Sequence, residues 1–423
     1  MSDINVFVGP NNSGKSSILY ALMLLRMSAE EKHSESQIVT TSPELDLGSY
    51  LDLIRGGDAK RTLSLSVTFD EAILKGRYGR SLDAELFDKR IDYAGCQVEF
   101  AYDETTNKVE VKAFTSTDSA GRKILSVRKL DAGKWSITGP GRSLAMSMGV
   151  SFWSFFPIVF PQRSKPAPGR VSRALTEWHY LSRGMALGFM SMLDGIKYIA
   201  PIRERIPPYG KVGTMPYSEL SASGQNLMRA LSTSRLTKSR NKTLMNDLNY
   251  WLNARFKVLR NVRMINVDRA GTMKALVADD RNGGRGINLA FTGCGISQLV
   301  PIIVHTVSMP ESGCLLVEQP ESHLHPSAQA DIADLFIDNT KGNRQFVIET
   351  HSEHFILRLR RRIAEGRIEP ERVAVFAVEK KRGNSVIKQL TLRSDGHFEE
   401  WPKGFFEEGY KEALAIAEAQ YKE

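Results

Sequence analysis

The chain opens on a short apolar run, Ile4-Asn5-Val6-Phe7-Val8, closed by a glycine, and its apolar pattern resumes as Ile18-Leu19-Tyr20-Ala21-Leu22-Met23-Leu24-Leu25. The first run has the length of a strand buried on both faces, and the second that of a buried helix. Leu63 to Phe69 alternates as a strand, while Gln97 to Tyr102 and Lys108 to Phe114 read as a hairpin across Asp103-Glu104-Thr105-Thr106-Asn107. After Pro161 to Arg170, rich in Pro, Ser and basic residues, the period lengthens and predicts helices over Val171 to Met192, Tyr217 to Leu231 and Lys242 to Phe256. Strands return at Arg263 to Val267, Met273 to Val277 and Ile287 to Ala290, followed by helix, strand, helix, strand, helix. That alternation predicts an α/β fold with a largely parallel sheet, a β-rich subdomain in the first part and an inserted helical lobe. The expected segments are 1–70, 71–160, 161–260, 261–410 and a tail, 411–423.

The first strand and helix are joined by Gly9-Pro10-Asn11-Asn12-Ser13-Gly14-Lys15-Ser16, with Ser17 next. A nucleotide triphosphate needs backbone N–H groups, an ammonium and a helix N-terminus converging on its phosphates, and this segment supplies all three. Gly9 and Gly14 permit the tight turn, Asn11, Asn12, Ser13 and Ser17 complete the cradle, Lys15 is placed to reach the β- and γ-phosphates, and the Ser16 hydroxyl to ligate Mg²⁺. ATP and Mg²⁺ are the ligands this implies.

Three downstream segments bear on what such a loop is used for. Cys314-Leu315-Leu316-Val317-Glu318-Gln319-Pro320-Glu321 is an apolar strand ending in carboxylates, where a triphosphate needs a Mg²⁺ partner and a group to orient the attacking water. Phe346-Val347-Ile348-Glu349-Thr350-His351-Ser352 is a second apolar strand with a histidine at its tip, and Phe291-Thr292-Gly293-Cys294-Gly295-Ile296-Ser297-Gln298 is a glycine turn opening an apolar helix. Together they resemble the ATP-binding heads of the ABC and SMC superfamily, in the branch of the overcoming-lysogenisation-defect (OLD) ATPases. The likeness is close around VEQPESHLHPSAQ and IETHSEHFILRLRRRI, and the ending DGHFEEWPKGFFEE looks like the tail of one stand-alone ATPase group of that branch. It spans residue 1 to about 60 and 285 to about 408, with YIAPIRERI, Tyr198 to Ile206, as an anchor between.

The resemblance implies an ABC-type head whose N-terminal half is 1–70 and whose C-terminal half is 261–410. It places Glu318 where the Mg²⁺-coordinating acid belongs and His351 where a switch histidine senses the γ-phosphate. Thr292, Gly293 and Gly295 fall near the signature loop that caps ATP bound to a second subunit, so a homodimer or higher oligomer with composite ATP sites is expected. It further implies the ATPase component of a bacterial antiphage defence system, sensing nucleic acid or a phage product and controlling a separate effector subunit such as a nuclease or toxin. An SMC-like repair or chromosome-maintenance clamp is the alternative, disfavoured by the lack of sustained heptads between the motifs. A nuclease in its own right is expected to need a C-terminal domain larger than Glu407 to Glu423.

The sequence departs from that pattern in three places. Gln319 stands where transporters carry the water-polarising glutamate, and an amide cannot accept that proton; either Glu321 takes the role or hydrolysis is slow and the ATP-bound state long-lived. Only Met1-Ser2-Asp3 precede the first strand, where this branch usually carries one or two further strands. Leu45-Asp46-Leu47-Gly48-Ser49 holds the Q-loop's place in order without its glutamine. Ser221-Ala222-Ser223-Gly224-Gln225 mimics an ABC signature but lies too far upstream of the Glu318 strand. His323 with His325, and His351 with His354, lack the Cys or acidic spacing of a closed zinc site.

Composition changes the picture at one point. An apolar fraction of 42% and a charged fraction of 25% are those of an ordinary globular protein, and no apolar run approaches a membrane span. The densest other run, Val150 to Phe160, reads as a core segment. Cys96, Cys294 and Cys314 give no disulfide framework, and the start has no leader pattern, which fits a cytoplasmic setting. The net charge of +9, by contrast, points outward: Arg163-Ser164-Lys165, Arg203 with Arg205, Arg235 to Lys242 and Arg358 to Arg362 together favour a nucleic-acid partner.

Overall fold

The computed structural model describes residues 2–30, 38–68, 94–131, 134–139, 142–147, 150–160, 169–212, 220–233, 244–400 and 408–420. The chain divides into two units, one formed by Met1–Leu19 with Lys197–Glu423 and the other by Tyr20–Ile196.

In the second unit, β2 (Leu63–Thr68), β3 (Gly95–Asp103), β4 (Lys108–Thr117), β5 (Lys123–Asp131), β6 (Lys134–Gly139) and β7 (Arg142–Ser147) form an antiparallel meander in chain order. The expected hairpin is β3 and β4, closed where Asp103 faces Lys108. The apolar run from Val150 is core, as its composition suggests: β8 (Val150–Trp153) and β9 (Phe156–Val159) turn at Ser154, and Phe155, Phe156, Ile158 and Val159 are at most 1% exposed. Their rings meet Phe100, Phe114 and Phe189, the last on the long helix α3 (Gly169–Asp194). The unit also holds a one-turn helix, α2 (Tyr50–Leu53), and all but the start of α1 (Lys15–Glu30).

The first unit is built on a six-stranded sheet. Its strands are β1 (Ile4–Val8), β10 (Ile196–Ile199), β15 (Cys314–Glu318), β16 (Gln345–Glu349), β17 (Val373–Lys381) and β18 (Asn384–Leu390), in the order β10-β15-β16-β1-β17-β18. β15, β16, β1 and β17 run parallel, and β18 returns antiparallel at the edge. Leu315, Leu316, Val317, Phe346, Val347 and Ile348 are wholly buried, as the core strands of a parallel sheet covered on both faces must be. Between them in the chain come α4 (Leu227–Thr233), α5 (Leu244–Tyr250), α6 (Cys294–Ser308), α7 (Pro326–Asp338) and α8 (Glu353–Ala364), and α9 (Glu408–Gln420) comes last. Phe336 of α7 lies against Phe346 of β16 and Phe355 of α8, with ring centroids 5.0 and 6.2 Å apart, so strand and helices share one apolar layer. A smaller sheet, β11 (Gly210–Lys211), β13 (Met273–Asp280) and β12 (Leu259–Asn266), with β14 (Ile287–Asn288) on β13, completes the unit.

The helical stretch expected over 161–260 is divided: α3 belongs to the meander unit, α4 and α5 to the unit of the parallel sheet. Of Tyr217 to Leu231, residues 213–219 lie outside the described ones and helix begins only at Leu227. Gly224, at φ +79°, turns the chain first, and a Cβ there would stand 2.9 Å from the ring of Pro301. No helix among the described residues is long and apolar enough to cross a membrane.

Candidate functional site

Parallel register brings the sequence-distant motifs to one sheet edge. Glu318 at the end of β15 faces Glu349 at the end of β16, and Glu349 faces Phe7 of β1, one residue before the glycine loop begins to leave the sheet. Because β17, which follows β16, passes to the far side of β1, the loop leaves the carboxyl edge where the strand order reverses, the place where α/β sheets leave a crevice.

The loop itself is shaped by residues with positive φ: Gly9 at +150°, Asn12 at +60° and Gly14 at +100°. The two glycines are also required by space. A Cβ on Gly9 would lie 2.2 Å from the Val378 carbonyl oxygen of β17, and one on Gly14 2.3 Å from Ser385 Oγ of β18. Helix α1 starts at Lys15, so the free N–H groups of its first turn face the loop. Asn11, Asn12 and Ser17 are exposed, whereas Ser13 is buried and its Oγ has no hydrogen-bond partner among the described residues.

Lys15 is buried, its Nζ donating to the carbonyls of Gly9 (3.2 Å) and Pro10 (2.9 Å) and standing 3.8 Å from Glu349 Oε1. Burial lowers its pKa from the ordinary lysine value, and the carboxylates of Glu349 and Glu321 oppose that fall. Ser16 Oγ donates to Glu349 Oε2 at 2.7 Å, and Glu318 Oε1 accepts the Tyr198 hydroxyl at 2.6 Å.

The turn after β15 is tied to the tip of β16. Gln319, held at φ +43°, donates its backbone N–H to the Glu349 carbonyl at 2.8 Å. Glu321 accepts from Thr350 Oγ1 at 2.8 Å and from the His351 backbone N–H at 2.6 Å, and Thr350 N–H donates to the Phe7 carbonyl at 3.2 Å. Burial raises the Glu321 carboxyl above its ordinary value, with these hydrogen bonds and the charge of Arg203 pulling the other way. Partial burial, with the residue still exposed at the surface, and the nearby Lys15 ammonium lower the His351 pKa from the ordinary histidine value. The glycine loop, Glu318, Gln319, Glu321 and His351 thus form one constellation.

The residues of a Mg²⁺-triphosphate site fit the space: two glycines where no Cβ can go, a buried ammonium, an unpartnered Ser13 hydroxyl, and a hydroxyl and carboxylates at the strand ends. Thr292, Gly293 and Gly295 lie at the start of α6. Thr292 Oγ1 donates to the Leu289 carbonyl at 2.7 Å, a Cβ on Gly295 would lie 2.9 Å from the His323 carbonyl oxygen, and Gly293 faces open space. Ser221 to Gln225 has a different place: its Gly224 packs on Pro301 in the middle of α6, and the Ser221 carbonyl accepts from His305 Nε2 at 3.1 Å. His325 caps α7 by accepting from Ser327 N–H, at 3.4 Å.

Glu349, Tyr198 and Gln298 carry no role in the sequence reading, and Arg203 enters it only as part of a basic surface. Glu349 had a signal, since it closes an apolar strand with a carboxylate as Glu318 does. Arg203 reverses an expectation. It is 2% exposed, so it is no part of a basic surface, although Arg205 is exposed. The arginines of α8 are likewise engaged: Arg358 pairs with Asp331 and Asp334, Arg362 with Asp334 and Glu365, Arg361 with Glu365, and Arg360 Nε donates to the Gly396 carbonyl. Arg163, Lys165 and Arg235 to Lys242 lie outside the described residues.

Residues 215–356 match a model described as AAA ATPase domain, and residues 4–132 match one described as AAA domain, putative AbiEii toxin, Type IV TA system. Residues 368–416 match a protein family of unknown function, DUF3696. The glycine loop lies within the second of these matches and the Glu318 to His351 segment within the first. No curated protein matches the chain. Similar solved structures include an SMC head bound to the C-winged helix domain of ScpA, with 12% identity, TM-score 0.35, and 93% of this chain and 91% of that one covered. The SMC head domain from Thermotoga maritima aligns at 11% identity and TM-score 0.32, covering 91% and 89%. An SMC head with an extended coiled coil from Pyrococcus furiosus, bound to the C-terminal domain of ScpA, aligns at 10% and 0.36, covering 99% and 93%. At these scores the likeness carries no argument about chemistry.

Proposed function

We propose that this chain is an ATP-binding and ATP-hydrolysing switch of ABC and OLD-like type. The observation that carries the reading is the register row Phe7, Glu349, Glu318, which sets the glycine loop, two carboxylates and the Glu321–His351 clamp on one sheet edge. Lys15 and the first turn of α1 would bind the phosphates, and Ser16 with Glu318 would hold Mg²⁺, whose charge would offset that of the triphosphate. Glu321 is the proton acceptor for the attacking water, because Gln319 has no basic oxygen and burial has lifted the Glu321 carboxyl toward the working range of a base. His351, which feels the charge of Lys15, reports on the γ-phosphate. Thr292 to Gly295 caps the nucleotide of a second copy. Conformational change is then the product of hydrolysis.

The setting that best accommodates this is bacterial antiphage defence, with a separate nuclease or toxin effector under the control of the switch. The match of residues 4–132 to a model named for a putative toxin of a Type IV TA system supports it, as does the OLD-like sequence of the motifs. An SMC-like clamp is the second reading. Genes beside this one that encode a nuclease or toxin would favour the first. The ATP reading is tested by calorimetric titration of Lys15→Ala: the variant is expected to lose high-affinity binding with its fold intact, and unchanged affinity would overturn it.

A further inference from the structure

We infer that Arg203 is a positioning residue that links the partner-facing helix α6 to the carboxylate turn of the ATP site, an inference that rests on the ATPase reading above. Arg203 lies four residues beyond β10 and is 2% exposed, between Ile202, which is 83% exposed, and the exposed Glu204. An arginine is placed so deep only if its donors are used, since an unpaired buried charge costs several kcal/mol. Its Nε and its backbone N–H both donate to Gln298 Oε1, at 3.1 and 3.3 Å, and Gln298 Nε2 returns a bond of 2.8 Å to the Arg203 carbonyl. Gln298 sits one turn into α6, the helix opened by Thr292 to Gly295. On its other side Arg203 Nη2 donates to the carbonyl of Gln319 at 3.0 Å, and its charge acts on Glu321, two residues further on. Nη1 is buried and has no hydrogen-bond partner among the described residues.

This planar fork therefore makes one rigid unit of three parts: the α6 turn through Gln298, the strained Gln319 backbone at φ +43°, and the field at Glu321. A force on the turn that shifts α6 is transmitted to the turn that carries the base. Tyr198, five residues before Arg203, bonds Glu318, so the whole Tyr198 to Arg203 segment braces the acids from behind. Lysine cannot replace the fork, since an ammonium lacks the geometry to hold Gln298 and Gln319 at once, though it keeps the charge.

The test compares parent, Arg203→Met, Arg203→Lys, Gln298→Leu and the Arg203→Met/Gln298→Leu double variant, each checked for fold by circular dichroism. ATP affinity, kcat and the pH dependence of kcat are measured. Affinity is expected within about threefold of the parent for all, with kcat at least tenfold lower for Arg203→Met. The double variant should be no slower than Arg203→Met alone, because both changes break one link. Glu321 is faced by Arg203, by the Lys15 ammonium and by the His351 backbone, so removing the Arg203 charge moves the acid limb of kcat to higher pH. Arg203→Lys leaves the limb in place but still lowers kcat several-fold. A parent that neither binds nor hydrolyses ATP would sink the ATPase reading itself. A parent that turns over while Arg203→Met keeps its kcat and its acid limb would sink only this inference. Should Arg203→Met fail to fold, Arg203→Lys and Gln298→Leu decide by the same split, and parent-like kcat in both rejects the link.

Discussion

At the level of single residues, the site divides its carboxylates by environment. Glu318 is buried against the Tyr198 hydroxyl, Glu349 receives both the Ser16 hydroxyl and the Lys15 charge, and Glu321 is clamped to Thr350 and His351. Only Glu321 combines a raised pKa with a place next to the position of the missing glutamate. Glu318→Ala is accordingly expected to weaken Mg²⁺-dependent ATP binding. Glu321→Gln should retain binding and lower kcat by about 10²-fold or more, the usual worth of a general base. Since Glu321 works deprotonated and its pKa is raised, kcat of the parent should fall as pH drops through a value above the ordinary ~4.3 of glutamate. Gln319→Glu adds a second base and should speed turnover. A Glu321→Gln variant turning over at the parent rate, with Gln319→Glu inert, would reassign the base. The glycine loop was legible in the sequence because its chemistry is local, eight consecutive residues between a strand and a helix. Glu349, Tyr198 and Arg203 were not, because their roles come from strand register and from packing between segments more than a hundred residues apart.

Among the elements, the parallel core strands were readable from continuous apolar runs, and β3 with β4 from alternation across a polar turn. The helix expected from Tyr217 failed over Leu220 to Asn226 because a local turn won: the Ser221 N–H donates to Asn226 Oδ1 at 2.8 Å and Gly224 adopts φ +79° to pass Pro301. That same turn gives α6 a titratable anchor. His305, buried on α6, donates to the Ser221 carbonyl, and burial pushes its pKa down to about 4, against the pull of that hydrogen bond and with the Lys197 charge acting in the same direction as burial. A histidine held neutral by the fold stabilises it above the unfolded pKa of 6.5, and that contribution is lost as pH falls toward 4. The gap corresponds to roughly 3 kcal/mol at its full extent. His305→Gln keeps a donor for the Ser221 carbonyl without the titration. Urea unfolding at pH 7 and pH 4 should therefore show the parent losing more stability than the variant over that interval, and parallel losses would mean that His305 is not the group responsible.

For the whole molecule, the question is what the chain does with a partner. Gly293 faces open space at φ −56°, a conformation that any residue adopts, so Gly293→Asp leaves the fold alone and acts only where a second copy's phosphate would approach. Lys15→Ala and Gly293→Asp subunits should each be inactive alone, while their mixture recovers at most one working site per dimer. Full activity of Gly293→Asp by itself would remove the turn from the ATP site. Nucleic acid is the partner that charge favours, and here the molecule narrows the candidates. The α8 arginines are spent on Asp331, Asp334 and Glu365, and Arg203 on the interior, so the proposed nucleic-acid contacts fall to other basic residues of the sequence, Lys238 and Arg240 among them. DNA or RNA binding by the purified protein should weaken steeply with salt, and Lys238→Ala or Arg240→Ala should each weaken it evenly across sequences and reduce the salt slope by about one. Arg361→Ala, whose partner is Glu365, should leave binding within about twofold of the parent. On the proposed reading the carboxylates of the sheet edge serve ATP, and strand cleavage is expected only when a separate effector subunit is added. Metal-dependent cleavage by this chain alone, lost on mutating acids outside the ATP site, would make it the nuclease and not its switch.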